Sequence, residues 1–123
     1  VRAGRWDSAG GLLQKYLRAT PDAPHAVEAQ YLIGQCLFEL GRFKNAITEF
    51  QKVIEAEDNK RAEGAVPNWA PKGMFMQGLA FQELGTKQDI EAAQLFFEEL
   101  IRLYPDSPEA ERARRRIDRL HEN

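Results

Sequence analysis

The chain has 123 residues, a formal net charge of −2, 43% hydrophobic and 29% charged residues, and one cysteine. That balance fits one globular domain able to bury roughly two thirds of its unfolded surface. It excludes an internal disulfide, a net positive field that would draw the chain to nucleic acid or an anionic membrane, and any apolar run near the roughly 20 residues of a spanning helix.

In chain order, residues 5–19 read as the second helix of a hairpin whose first helix is absent. Trp6, Ala9, Leu13, Tyr16 and Leu17 form its apolar stripe, and Leu12 widens it. Val1 already lies inside a repeat, so the sequence reads as a fragment of a longer protein, any targeting signal being out of view. The open face of this helix is expected to need an upstream segment or a second copy of the chain. Thr20 to Pro24 form a joint, and the same Pro-Asp-x-Pro form returns at Pro105 to Pro108.

Residues 24–56 read as a full hairpin that turns at Leu40-Gly41-Arg42. Gly34, seven residues before Gly41, removes a side chain where the partner helix must come close. Phe43, Ala46, Ile47, Phe50, Val53 and Ile54 recur at helical spacing as one apolar stripe. Glu57 to Asn68 is the longest irregular stretch, read as a solvated insertion or, with Trp69, as a lip over a binding face, and Asn68 is a candidate helix cap. Residues 69–104 make a second full hairpin, and Ser107 is placed to cap the helix over 107–121. That last helix carries a narrow stripe of Ala110, Ala113, Ile117 and Leu120, with Arg112, Arg114, Arg115, Arg116 and Arg119 on its other sides, as a terminal capping helix should.

The hairpins are copies of one another. From Gly41, an aromatic stands at +2, Ala46 at +5, Phe50 at +9 and Val53 at +12; from Gly4 the same offsets meet Trp6, Ala9, Leu13 and Tyr16. From Gly85 the series returns as Ala93, Phe97 and Leu100 after three extra residues, and Gly78 precedes Gly85 by seven. These offsets resemble those of tetratricopeptide (TPR) repeats, helix-turn-helix units of about 34 residues. Two stretches, AQYLIGQCLFELGRFKNAITEFQKVI and GLAFQELGTKQDIEAAQLFFEELIRLYPDSPEAERARRRIDRL, are similar to the C-terminal repeat domain of the periplasmic Tol-Pal coordinator family (CpoB/YbgF type), and more loosely to repeat-built outer-membrane assembly lipoproteins. Gln77, where an aliphatic residue is expected, Asp58 in a proline position and the insertion before the third unit depart from that pattern.

The resemblance implies an all-α fold: a right-handed TPR-type solenoid of about six antiparallel helices with a C-terminal capping helix, one domain over 1–123. It implies a non-catalytic interaction scaffold that binds a protein or peptide on its concave face, with an envelope or periplasmic role, a cytoplasmic one remaining open. First helices line the concave surface in such stacks. Candidate contacts are therefore Glu28, Tyr31, Gln35, Phe38 and Glu39 on one helix, Trp69 beside the insertion, and Lys72, Phe75, Met76, Leu79 and Gln82 on the next. The alternative for Phe38, Phe75 and Leu79 is packing against the following unit. The Lys/Asn arrangement that holds terminal carboxylates in chaperone-binding relatives is absent, with Tyr31, Gln35, Phe75 and Leu79 in its places. A self-assembly module using the N-terminal helix face is the alternative function.

No catalytic site, cofactor or metal is expected. Cys36 sits mid-helix with no histidine patterned to meet it and reads as a structural thiol. His25 and His121 lack metal-ligand spacing. The arginines of the last helix are interleaved with acids and carry no aromatic partner for bases, which argues against nucleic acid.

Overall fold

The computed structural model describes residues 2–19, 25–61 and 69–122. Over these the chain forms six helices: α1 (Arg2–Ala19), α2 (Ala26–Glu39), α3 (Phe43–Arg61), α4 (Ala70–Leu84), α5 (Lys87–Leu103) and α6 (Pro108–Glu122). Each packs on the next in sequence. The further contacts run between α2 and α4 and between α4 and α6, while α3 stands clear of α5. So α2, α4 and α6 converge on one flank and α3 and α5 splay on the other, as expected of a helical repeat stack.

The two complete hairpins turn by the same device. Gly41 and Gly85 both take φ of 79°, a left-handed conformation that other residues adopt only under strain. Gly85 N–H donates to Phe81 O at 3.2 Å, and Arg42 N–H to Leu37 O at 2.9 Å. Gly4 follows the offsets of these turn glycines but lies inside α1, which begins at Arg2 instead of residue 5. Its equivalence ends at the sequence pattern.

The repeated apolar positions become the core. Ala46, Phe50 and Val53 of α3 and Ala93, Phe97 and Leu100 of α5 are fully buried. Gly34 and Gly78 make room for the rings: a Cβ added at Gly34 would lie 2.6 Å from Phe50 Cε1, and one at Gly78 only 2.3 Å from Phe97 Cε1. The copies in α1 fare differently. Trp6, Ala9, Leu13 and Leu17 are half-buried, Leu12 is 68% exposed and Tyr16 39%, because among the described residues α2 alone lies against them.

Two readings of the middle stretch change. α3 continues to Arg61, one turn and more into the segment expected to be irregular from Glu57. Glu57 is buried there, and its Oε1 accepts hydrogen bonds from the backbone N–H groups of Trp69 and Ala70. A carboxylate from the preceding helix thus caps α4, where N–H groups lack intrahelical partners and the dipole favours negative charge. Pro71, in the first turn, presents no N–H to satisfy. Asn68, the expected cap, lies outside the described residues.

Gln77 also acquires a role. Its side chain is fully buried, and its Nε2 donates to Ile47 O at 3.1 Å and to Gln51 Oε1 at 3.0 Å. The amide stands where the repeat pattern expects an aliphatic residue and ties α4 to α3 by polar bonds instead.

Candidate functional site

Where α2, α4 and α6 converge they enclose an open cavity of about 320 Å³, lined by Tyr31, Trp69, Lys72, Phe75, Met76, Glu109 and Arg112. Two rings form one wall: the Tyr31 and Trp69 centroids are 5.2 Å apart at 44°, and Tyr31 meets Phe50 behind it at 5.5 Å. Trp69 stands at the N-cap, immediately before α4, where hydrogen bonding to Glu57 fixes its backbone. Phe75 and Met76 form the floor. Phe75 belongs mainly to the core, 8% exposed with its ring 5.7 Å from Phe97.

Charged groups line the cavity as well, one of them, Glu109, buried. Lys72 Nζ lies 3.7 Å from Glu109 Oε2 across α4 and α6, and 5.9 Å from the centre of the Trp69 ring, within reach of a cation–π attraction. Burial pushes the Tyr31 phenol above its ordinary pKa; the Glu109 carboxylate adds to the rise and the Arg112 guanidinium opposes it. The phenol is therefore a neutral hydrogen-bonding group at neutral pH. A hollow lined by aromatic rings and a methionine with a few charged groups suits one large anchoring side chain.

Five of the eleven residues expected on the concave stripe meet here: Tyr31, Trp69, Lys72, Phe75 and Met76. The other six lie apart from the cavity. Glu28 faces His25 Nδ1 at 3.4 Å, Gln35 is half-buried, and Glu39 is exposed. Phe38 packs edge-on against Phe43 at 5.1 Å, and Leu79 rests on the core around Phe97. Gln82 is half-buried, its Oε1 enclosed without a hydrogen-bond partner among the described residues.

Glu109 and Arg112 are absent from the expected stripe. The reading of α6 as a cap assigned its charges to solvent. The signal that finds them is the repeated joint: the offset relating Pro24 to Pro108 also relates His25 to Glu109 and Glu28 to Arg112. The glycine offset relates His25 to Trp69 and Glu28 to Lys72. α6 thus stands in the place of a first helix and presents the same two positions to the groove.

Cys36 is buried, and burial pushes its thiol pKa up, opposed by a backbone hydrogen bond and reinforced by Glu39. That is the environment of a packing thiol rather than a nucleophile. Among the described residues no group of His, Cys, Asp and Glu is placed to hold a metal ion, and no helix is long and apolar enough to cross a membrane.

Helix hairpins stacked in sequence, with a furrow along the flank where alternate helices meet, define a repeat-type binding scaffold. The family model for the tetratricopeptide repeat matches residues 1–65, and a second model of the same description matches residues 72–107. The chain belongs to the tetratricopeptide repeat family. Repeats of this family are protein–protein interaction scaffolds and typically non-catalytic. No curated protein matches the chain.

Proposed function

We propose that the flank of α2, α4 and α6 holds a peptide or helix of a protein partner, with one large apolar side chain seated between Tyr31, Trp69 and Met76. The observation that carries this reading is the cavity itself, built from two successive units and the last helix, with aromatic side chains, Met76 and three charged groups in its lining. Trp69 supplies the readout. Trp6→Phe leaves it as the sole tryptophan, and titration with amphipathic helical peptides bearing a Leu or Phe anchor should shift its emission saturably. Tyr31→Ala should abolish the shift. Peptides that bind Tyr31→Ala with undiminished affinity, leaving Trp69 emission unchanged, would remove the groove from consideration.

The periplasmic coordinating role belongs to the same proposal and rests on the resemblance carried by the Tyr104 to Pro108 joint and its flanking helices. A Tol-type protein or a cell-wall synthase is then the partner. Osmotic-shock release of the tagged full-length protein tests the compartment, and retention with the cytoplasmic fraction argues for a scaffold elsewhere.

A second reading is favoured by the exposure of Leu12 and Tyr16 on α1: the chain self-associates through that face. Sedimentation velocity should then show a concentration-dependent dimer that Leu12→Asp dissociates. A monomer at all concentrations would leave the groove reading alone standing.

A further inference from the structure

The charges near the cavity are unevenly neutralised. Lys72 is met by the buried carboxylate of Glu109 at 3.7 Å. Elsewhere Arg115 is met by Glu111 at 2.9 Å, and Lys52 by Glu49 at 3.1 Å. Arg112, at the mouth of the same cavity and exposed, makes no ion pair among the described residues. Arg116 and Arg119 follow it at i+4 and i+7, one and two turns along the same helical face. Neither has a carboxylate at ion-pair distance among the described residues. Other described cations, Arg18, Arg42 and Lys44 among them, also lack an ion pair, but Arg112, Arg116 and Arg119 share one helical face, and that face starts at the cavity.

From that charge complementarity, and resting on the groove reading above, we infer that the occupant is an acidic protein segment. It carries one apolar anchor for the cavity and Asp or Glu residues about a helical turn apart, which lie along Arg112, Arg116 and Arg119. Guanidinium groups hold carboxylates in a planar fork, and such pairs at an interface rim fix register and speed encounter. A nucleic-acid strand fits the same place poorly. The Tyr31 and Trp69 rings are tilted by 44° with centroids 5.2 Å apart, and Lys72 lies over Trp69, so they do not form the parallel platform on which successive bases stack.

The test uses the full chain and two fluorescein-labelled peptides of about 18 residues, long enough to be helical. They share one Leu anchor and differ only in carrying Glu or Lys at the positions facing α6. Binding is read by anisotropy, with a thymidine oligonucleotide as competitor. The Glu peptide should bind about tenfold or more tighter than the Lys peptide, a preference that shrinks with salt. Arg112→Gln with Arg119→Gln, both exposed positions, should erase the preference while leaving circular dichroism unchanged. Equal binding of both peptides, lost in Tyr31→Ala, would overturn the acidic partner and leave the groove reading intact. Binding of neither peptide would overturn both. Displacement by the oligonucleotide at lower concentration than by unlabelled Glu peptide would overturn the inference in favour of a polyanion.

Discussion

A methyl group placed on Gly78 would have to share space with the Phe97 ring, a side chain with no exposed surface and no room to move. Helix propensity favours alanine over glycine by about 1 kcal/mol, whereas overpacking a tight core costs about 1–3 kcal/mol or more. The steric effect wins. Gly78→Ala and Gly34→Ala should both lower the urea midpoint. Gly11→Ala, exposed with nothing within 4 Å of the added atom, should raise it by the propensity term alone. If all three variants shifted stability upward, the close ring contacts would not exist in solution. The glycine pairs were legible in the chain because their spacing recurs. Glu109 and Arg112 were not seen as groove residues because a charge on a terminal helix reads as solvated unless its helix is recognised as equivalent to α2 and α4.

At the scale of elements, the starts of α4, α5 and α6 show three solutions to the same shortage of partners for backbone N–H groups. Ser107 caps α6 from its own position, as expected: its Oγ accepts from Ala110 N–H at 3.1 Å and donates to Tyr104 O at 2.8 Å. Thr86 and Asp89 form a reciprocal box at α5, with Thr86 Oγ1 accepting from Asp89 N–H at 3.0 Å. α4 borrows Glu57 from α3. Removing the exposed Thr86 hydroxyl should cost about 1 kcal/mol. Glu57→Ala should cost about 1–3 kcal/mol, since it strands a buried N–H at Ala70. Chemical denaturation of the two variants checks the order, and a Glu57→Ala loss smaller than that of Thr86→Ala would mean the borrowed cap is weak. The Thr86 box was not among the sequence expectations, although its Thr-x-x-Asp spacing is the signal that finds it. The Glu57 cap was not legible, because a charged run such as EDNKRAE looks like a loop until the start of another helix is known to lie against it.

For the whole molecule, stability in a stack depends on neighbours, and among the described residues α1 has one neighbouring helix where the inner helices have at least two. None of the described side chains of α1 is fully buried, whereas α4 and α5 enclose Met74, Phe97 and Leu100. Amide exchange should therefore proceed in α1 through local openings, at least about tenfold faster than in α4 and α5. Uniform protection across the six helices would instead indicate that α1 is covered, as self-association through Leu12 would cover it. The stacking order was legible from the repeats alone. How far each face is covered was not, because coverage depends on which helices lie two apart as well as next to one another.

The matched positions on α2, α4 and α6 have one more consequence. His25, Trp69 and Glu109 occupy one rung of a ladder, and Glu28, Lys72 and Arg112 the other. Each rung spells imidazole, indole and carboxylate, or carboxylate, ammonium and guanidinium, so the backbone is copied while the lettering changes with every copy. On the groove reading proposed above, exchanging Trp69, Lys72 or Arg112, the letters that line the cavity, would change which partner fits without disturbing the buried frame that holds them.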